Sequence, residues 1–185
     1  MDDLPDREGT PRNRLWLFGD GSGGVNTSDP RLRRAAWAWV EVQASSNVPS
    51  TQLHRVKCAP MHGRRQTVNR CELMALLDGV RSTRGSISFV SDSGYVVKGF
   101  RRMAKNPAKY NPKSNRDLWS ALRTEAKTRD IEVFKIESHL EDDDPSVING
   151  TVPLAWVRGN QAADDLAGEA AVDAQLPAAR IEAVK

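Results

Sequence analysis

The sequence predicts an α/β domain: a five-stranded mixed sheet, with three antiparallel N-terminal strands and then strands alternating with helices, flanked by helices on its faces. Three observations predict it. The first 60 residues carry apolar runs and alternations at the strand period, without helical spacing. Leu73, Leu76, Leu77 and Val80 then recur at helical spacing. Beyond them, short β-rich runs alternate with helical stretches, as crossover connections require.

Each element has its own signal. Leu15-Trp16-Leu17-Phe18 is an apolar run stopped by Gly19-Asp20-Gly21-Ser22-Gly23-Gly24, which reads as a buried strand entering a turn. Ala35 to Val42 alternates aromatic, small and β-branched residues and reads as a second strand; His54 to Ala59 alternates weakly and reads as a third. Cys71 to Arg81 is the first helix. Ile87 to Val90 returns to strand character, Tyr95 to Met103 and Asp117 to Lys127 are helical, and Ile131 to Ile136 alternates again. Asn160 to Val172 is Ala-rich and helical, with Gly159 or Asn160 available to cap it.

The chain has 185 residues, 39% hydrophobic and 28% charged, which suits one folded domain with tails and excludes a wholly disordered chain. Residues 1–13, with Pro5, Gly9 and Pro11, are expected as a flexible tail. The domain is expected over 14–172, with a loop insertion at 140–157, and 173–185 as a C-terminal tail. No apolar run approaches the ~20 residues that span a bilayer, and the acidic start lacks the hydrophobic stretch of a secretory signal. Two cysteines, Cys58 and Cys71, cannot build a disulfide framework, so a reducing intracellular compartment (cytoplasm or nucleus) is expected.

The net charge of +3 hides its distribution. Cations cluster at Arg31-Leu32-Arg33-Arg34, from Met61 to Arg70 (Arg64, Arg65 and Arg70), and from Lys98 to Arg116, where seven Lys or Arg occur without one Asp or Glu. A single run of charge is ordinarily a solvated face. Seven unrelieved cations point to a polyanion such as nucleic acid.

Four acids stand at places where chemistry concentrates. Asp20 and Asp92 follow strands expected to be central, where open α/β sheets build their sites. Glu72 opens the first helix, and Asp164 lies near the start of the last, two residues before Leu166, so that it follows the buried edge while Asp165 turns away. Taken singly, Asp20 is equally a turn former and Asp92 equally a helix cap. Together, four carboxylates repel unless cations neutralise them, and hard oxygen ligands suit Mg²⁺ or Mn²⁺.

Four segments carry a family resemblance. Leu17-Phe18-Gly19-Asp20-Gly21-Ser22, Thr67-Val68-Asn69-Arg70-Cys71-Glu72-Leu73-Met74-Ala75, Phe89-Val90-Ser91-Asp92-Ser93-Gly94-Tyr95-Val96 and Gly159-Asn160-Gln161-Ala162-Ala163-Asp164-Asp165-Leu166-Ala167 resemble, in order, the four catalytic segments of type 1 ribonucleases H. The resemblance spans residues 15–172 and implies a ribonuclease H-like fold. It further implies a metal-dependent endonuclease that hydrolyses the RNA strand of RNA–DNA hybrids and leaves 5′-phosphates. By it, Asp20, Glu72, Asp92 and Asp164 are catalytic and hold two Mg²⁺ (or Mn²⁺) ions, Asp20 bridging both, Glu72 and Asp92 on one and Asp164 on the other.

His139, after the last strand, resembles the family's histidine on a mobile loop and is implied as a catalytic aid to proton transfer. It lies 25 residues before Asp164, a longer gap than in many members. Arg65, Thr67 and Asn115 match positions that hold a DNA-strand phosphate, while Asn69 and the backbone at Gly21 and Ser22 would approach ribose 2′-hydroxyls. The partner implied is an RNA–DNA hybrid, bound by a monomer and away from any membrane. Two positions depart from the family pattern: Val68 replaces a usual asparagine, and Gly94 a polar side chain that reads the hybrid. These departures keep a rival open, a non-catalytic nucleic-acid-binding module of the same fold. The chain also suits a ribonuclease H domain of a reverse-transcriptase polyprotein of a retroelement.

Overall fold

A computed structural model describes residues 14–45 and 48–183. The tail expected at 1–13 lies outside the described residues, as do Val184 and Lys185. Five strands form one sheet: β1 (Leu15–Ser22), β2 (Ala36–Ser45), β3 (Val48–Pro60), β4 (Ile87–Ser91) and β5 (Ile131–Lys135). Their spatial order is β3-β2-β1-β4-β5, which puts β1 at the centre. β1–β2 and β2–β3 are antiparallel, whereas β1–β4 and β4–β5 are parallel. The mixed sheet is the one the sequence predicts.

The helices are α1 (Val68–Ser82), α2 (Gly94–Lys105), α3 (Arg116–Glu125), α4 (Pro145–Ile148), α5 (Leu154–Asp173) and α6 (Ala178–Glu182). One face of the sheet buries Leu17, Trp37, Trp39 and Phe89 against Leu73, Leu76, Leu77 and Val80 of α1, with Val96, Phe100, Trp119 and Leu122 of α2 and α3 in the same core. The other face buries Phe18, Val40, Val42, Val90 and Ile136 against Val157 and Ala163 of α5. Successive residues of β1 thus serve opposite layers, as the strand period of two dictates.

Three boundaries differ from the sequence reading, each for a packing reason. β1 continues through Gly19-Asp20-Gly21-Ser22, paired with Ala36 to Trp39 of β2, instead of turning at Gly19. These glycines serve close approach: a Cβ on Gly19 would lie 2.3 Å from Phe89 Cζ, and one on Gly21 would lie 2.6 Å from Glu72 N. Similarly, Gly159 does not cap the last helix. It lies inside α5, where a Cβ would come within 2.6 Å of the Phe18 ring, so α5 begins at Leu154 and not near Asn160. β3 begins at Val48, earlier than His54; nearly all its residues are exposed, so no inward-facing alternation marks it.

The insertion expected as a loop at 140–157 is partly helical and packed. Asp144 caps α4 by accepting from Ser146 N at 2.8 Å. Leu140, Val147, Val152 and Trp156 pack on the second core. Trp156 lies 5.8 Å from Trp16 and 5.4 Å from Phe134, ring to ring. The segment 173–185 also begins attached: Gln175 accepts from Asn26 Nδ2 at 3.1 Å and donates to Ala171 O at 2.6 Å.

Candidate active site

The sheet and two helices bring the predicted acids together. Asp20 lies on the central strand opposite Ala38, Asp92 immediately follows β4, and Glu72 sits one turn into α1. Thr67 starts α1 by accepting from Arg70 N, which sets the helix so that Glu72 falls on its buried face. The missing side chain of Gly21 lets that face close on β1. Ser93 caps α2 by accepting from Val96 N at 3.4 Å. The Asp92 carboxylate is therefore not used as the cap.

Asp20, Glu72 and Asp92 each offer a ligand oxygen, and these oxygens lie within 4.8 Å of one another. Asp164 of α5 stands outside that mutual triad but is near enough to Asp20 to raise its carboxyl. Asp165 points to solvent, as the helical spacing predicts.

The electrostatics are adverse for carboxylates alone. Burial, then Asp92, push the Asp20 carboxyl from an ordinary 3.8 up to about 7; the Gly21 N–H opposes this, and the neighbouring Asp164 adds to it. Burial, followed by the charges of Asp20 and Asp92, holds Glu72 well above the usual carboxylate range. Glu72 Oε2 is buried without a hydrogen-bond partner. A buried, unpartnered acceptor among crowded carboxylates fits a hard divalent cation, which would satisfy it and remove the repulsion.

The proposed substrate residues divide into two groups. Arg65, Thr67, Asn69 and Asn115 line one groove of about 430 Å³, together with Arg33, Arg64 and Ser114. Gly21 and Ser22 lie at the end of β1, where the Gly21 N–H turns toward Asp20 and Ser22 Oγ accepts from Gly24 N at 3.3 Å. His139 stands apart in an exposed turn after β5, with left-handed backbone at φ 56°, and is not among the residues that gather with the acids.

Two residues of this region escaped the sequence reading. Arg70 Nη1 and Nη2 form a paired contact with Asp117 at 3.0 and 2.5 Å, and Nη1 also donates to Asn115 Oδ1 at 3.3 Å. Arg70 holds the Asp117 carboxyl down to about 2. The Tyr95 hydroxyl accepts from Asn115 Nδ2 at 3.1 Å and from Trp119 Nε1 at 2.8 Å. Asn115, only 6% exposed and left-handed at φ 51°, therefore has its amide held from both ends. The only cue in the sequence was adjacency, Arg70 to Asn69 and Tyr95 to Gly94.

Comparison with known proteins agrees with the geometry. The RNase H family model matches residues 12–172. A Ribonuclease H of Bordetella pertussis is 29% identical over 120 residues, covering 59% of this chain and 68% of the relative. One of Hydrogenovibrio crunogenus is 30% identical over 111 residues, covering 55% and 72%. Among solved structures, the PFV RNase H domain superposes with a TM-score of 0.64 at 17% identity, over 85% of this chain and 94% of that one. LC9-RNase H1, described as a type 1 RNase H with the type 2 active-site motif, gives 0.61 at 18% identity, over 89% and 75%. These two likenesses establish the fold. The family match runs from ahead of β1 to the last turn of α5 and takes in the clustered Asp20, Glu72 and Asp92 together with Asp164: the chain belongs to the RNase H family.

Proposed function

We propose that this chain hydrolyses the RNA strand of RNA–DNA hybrids at the carboxylate cluster, with two divalent ions, Mg²⁺ or Mn²⁺. The observation that carries the proposal is the convergence of Asp20, Glu72 and Asp92 within 4.8 Å, with Asp164 near enough to act on Asp20. A module that only bound phosphates would gain nothing from such a concentration of negative charge.

Asp20 would be shared between both ions, Glu72 and Asp92 would complete one, and Asp164 the other. When bound, such ions lower the pKa of a water and stabilise the leaving oxygen of an in-line displacement. The protein supplies position. The four acids come from a central strand, the end of its neighbour and two packed helices, so each is held on a rigid element.

Arg65, Thr67 and Asn115 would grip a phosphate of the DNA strand, and Asn69 with the Gly21–Ser22 backbone would meet ribose 2′-hydroxyls of the RNA strand. His139, in its exposed turn, would assist proton transfer once substrate is bound. Among the described residues no helix is long and apolar enough to cross a membrane. The free thiols Cys58 and Cys71 suit the reducing compartment, and a monomer is the expected state.

The test compares cleavage of a labelled hybrid, double-stranded RNA and single-stranded RNA with Mg²⁺, in the parent and in Asp92→Asn. Hybrid-selective cleavage abolished by the substitution is expected. Absent hybrid cleavage, or cleavage indifferent to the substitution, refutes the proposal.

A further inference from the structure

Two basic stretches far apart in sequence share one surface. Arg33, in the β1–β2 connection, and Arg64 and Arg65, ahead of α1, line the same groove of about 430 Å³. Gln66 fastens the two segments together. Its Oε1 accepts from Ala35 N at 2.9 Å, and its Nε2 donates to Met61 O and Gly63 O, both at 2.7 Å. The main chain adds Met61 N to Ala35 O at 2.7 Å. The juxtaposition is thus built into the fold, and a side chain buried in neither core maintains it.

The charges in this groove are unbalanced. Its lining includes three arginines and no carboxylate. Neighbouring arginines are neutralised, Arg31 by Asp29 and Arg70 by Asp117. Among the described residues, Arg33, Arg64 and Arg65 enter no ion pair. Arg33 is also oriented, because its Nε donates to Thr27 O at 3.1 Å and its Nη2 to the same oxygen. Three guanidinium groups in one groove repel one another, and the planar fork of each matches a phosphate.

We infer that Arg33 and Arg64 hold a second backbone phosphate of the substrate duplex, next to the one taken by Arg65, Thr67 and Asn115. The groove then spans two successive phosphates of one strand. This rests on the nuclease reading above and deepens it: the β1–β2 connection, through Arg33, becomes part of the substrate grip.

Each phosphate contact contributes about 0.9 to the slope of log affinity against log salt. The test measures binding of a fluorescent RNA–DNA hybrid to full chains carrying Asp92→Asn, between roughly 50 and 200 mM salt. The Arg33→Gln/Arg64→Gln double variant, which removes the contact, is expected to lower the slope by about 0.9 and to weaken low-salt binding roughly tenfold, and each single variant to fall between it and the parent. Arg84→Gln, an exposed cation at the far end of α1, should keep the parental slope. Arg64 has no recorded hydrogen bond to lose among the described residues, so its variant separates phosphate contact from loss of folding. Slopes for Arg33→Gln and Arg64→Gln equal to that of Arg84→Gln overturn the inference while the parent still cleaves hybrid. A parent that neither binds nor cleaves hybrid overturns the nuclease reading, and this one with it.

Discussion

Gly21 and Glu72 are in steric register: a Cβ at Gly21 would stand 2.6 Å from the Glu72 backbone nitrogen and 2.6 Å from Cys71 Cβ. The α1 turn that carries one acid of the cluster thus rests directly on the strand that carries another. Gly21→Ala must push α1 outward and move Glu72 away from Asp20. Overpacking of this kind costs about 1–3 kcal/mol, while a displacement of about 1 Å at reacting groups costs roughly 100-fold in rate. Denaturant unfolding and hybrid-cleavage kinetics should show modest destabilisation with a disproportionate loss of turnover. A variant with parental turnover contradicts this account.

The metal-free protein should lose stability as pH rises. The Asp20 carboxyl, raised from 3.8 to about 7, keeps its proton in the folded state over a pH range where the unfolded chain has released it. The native state then binds more protons, so stability is greatest below about pH 4 for this group and declines through about pH 7. The whole effect is at most about 4 kcal/mol, at 1.36 kcal/mol for each pKa unit. Thermal melts with chelator should show Asp20→Asn more stable than the parent at pH 8 and little different at pH 4. Adding Mg²⁺ at pH 8 should raise the parental Tm and leave that of Asp20→Asn less affected.

Tyr95 fixes Asn115 without lining the groove that Asn115 shares with Thr67. Tyr95→Phe releases Asn115 Nδ2 and leaves the buried Trp119 Nε1 without its acceptor, a loss of about 1–3 kcal/mol. Hybrid-cleavage assays should show KM rising with kcat nearly unchanged, as expected when binding is weakened equally in ground and transition states. A fall in kcat alone would count against a phosphate-grip role.

Gly94 is open space: a Cβ there meets nothing within 4 Å. Gly94→Gln should therefore be accommodated, and replacing glycine in the first turn of α2 should add up to about 1 kcal/mol of stability. If the position faces the hybrid, the polar side chain should tighten binding several-fold at unchanged kcat, measured by hybrid titration. A weaker-binding variant with a parental Tm shows that the glycine serves closer approach of the substrate.

Trp156 anchors the 140–157 segment by packing against Trp16 and Phe134. Large-to-small changes of buried aromatics cost about 3–5 kcal/mol. Trp156 is half-buried, and its Nε1 already lacks a partner, so Trp156→Ala should cost less, about 2 kcal/mol on the same scale. Hydrogen exchange should quicken in α4 and the first turn of α5 and leave α1 at its parental protection.

Strand and helix order, the amphipathic face of α1 and the gathering of Asp20, Glu72 and Asp92 were legible from the sequence. Residue period reports which side of an element is buried: Asp20 and Asp92 stand near or just past strand ends and Glu72 one turn into α1, while Asp164 falls in the middle of α5 and not near its start. Glycine misled, because Gly19, Gly21 and Gly159 read as turn or cap signals while the fold uses them where a side chain would collide. Tertiary structure alone decided that Ser93, and not Asp92, caps α2, that Asn115 is held between Arg70 and Tyr95, and that Arg33 shares a groove with Arg64 and Arg65. The physical reason is common to all three. Periodicity encodes burial within one element, whereas these relations join atoms from segments 3 to 45 residues apart through contacts that leave no periodic trace.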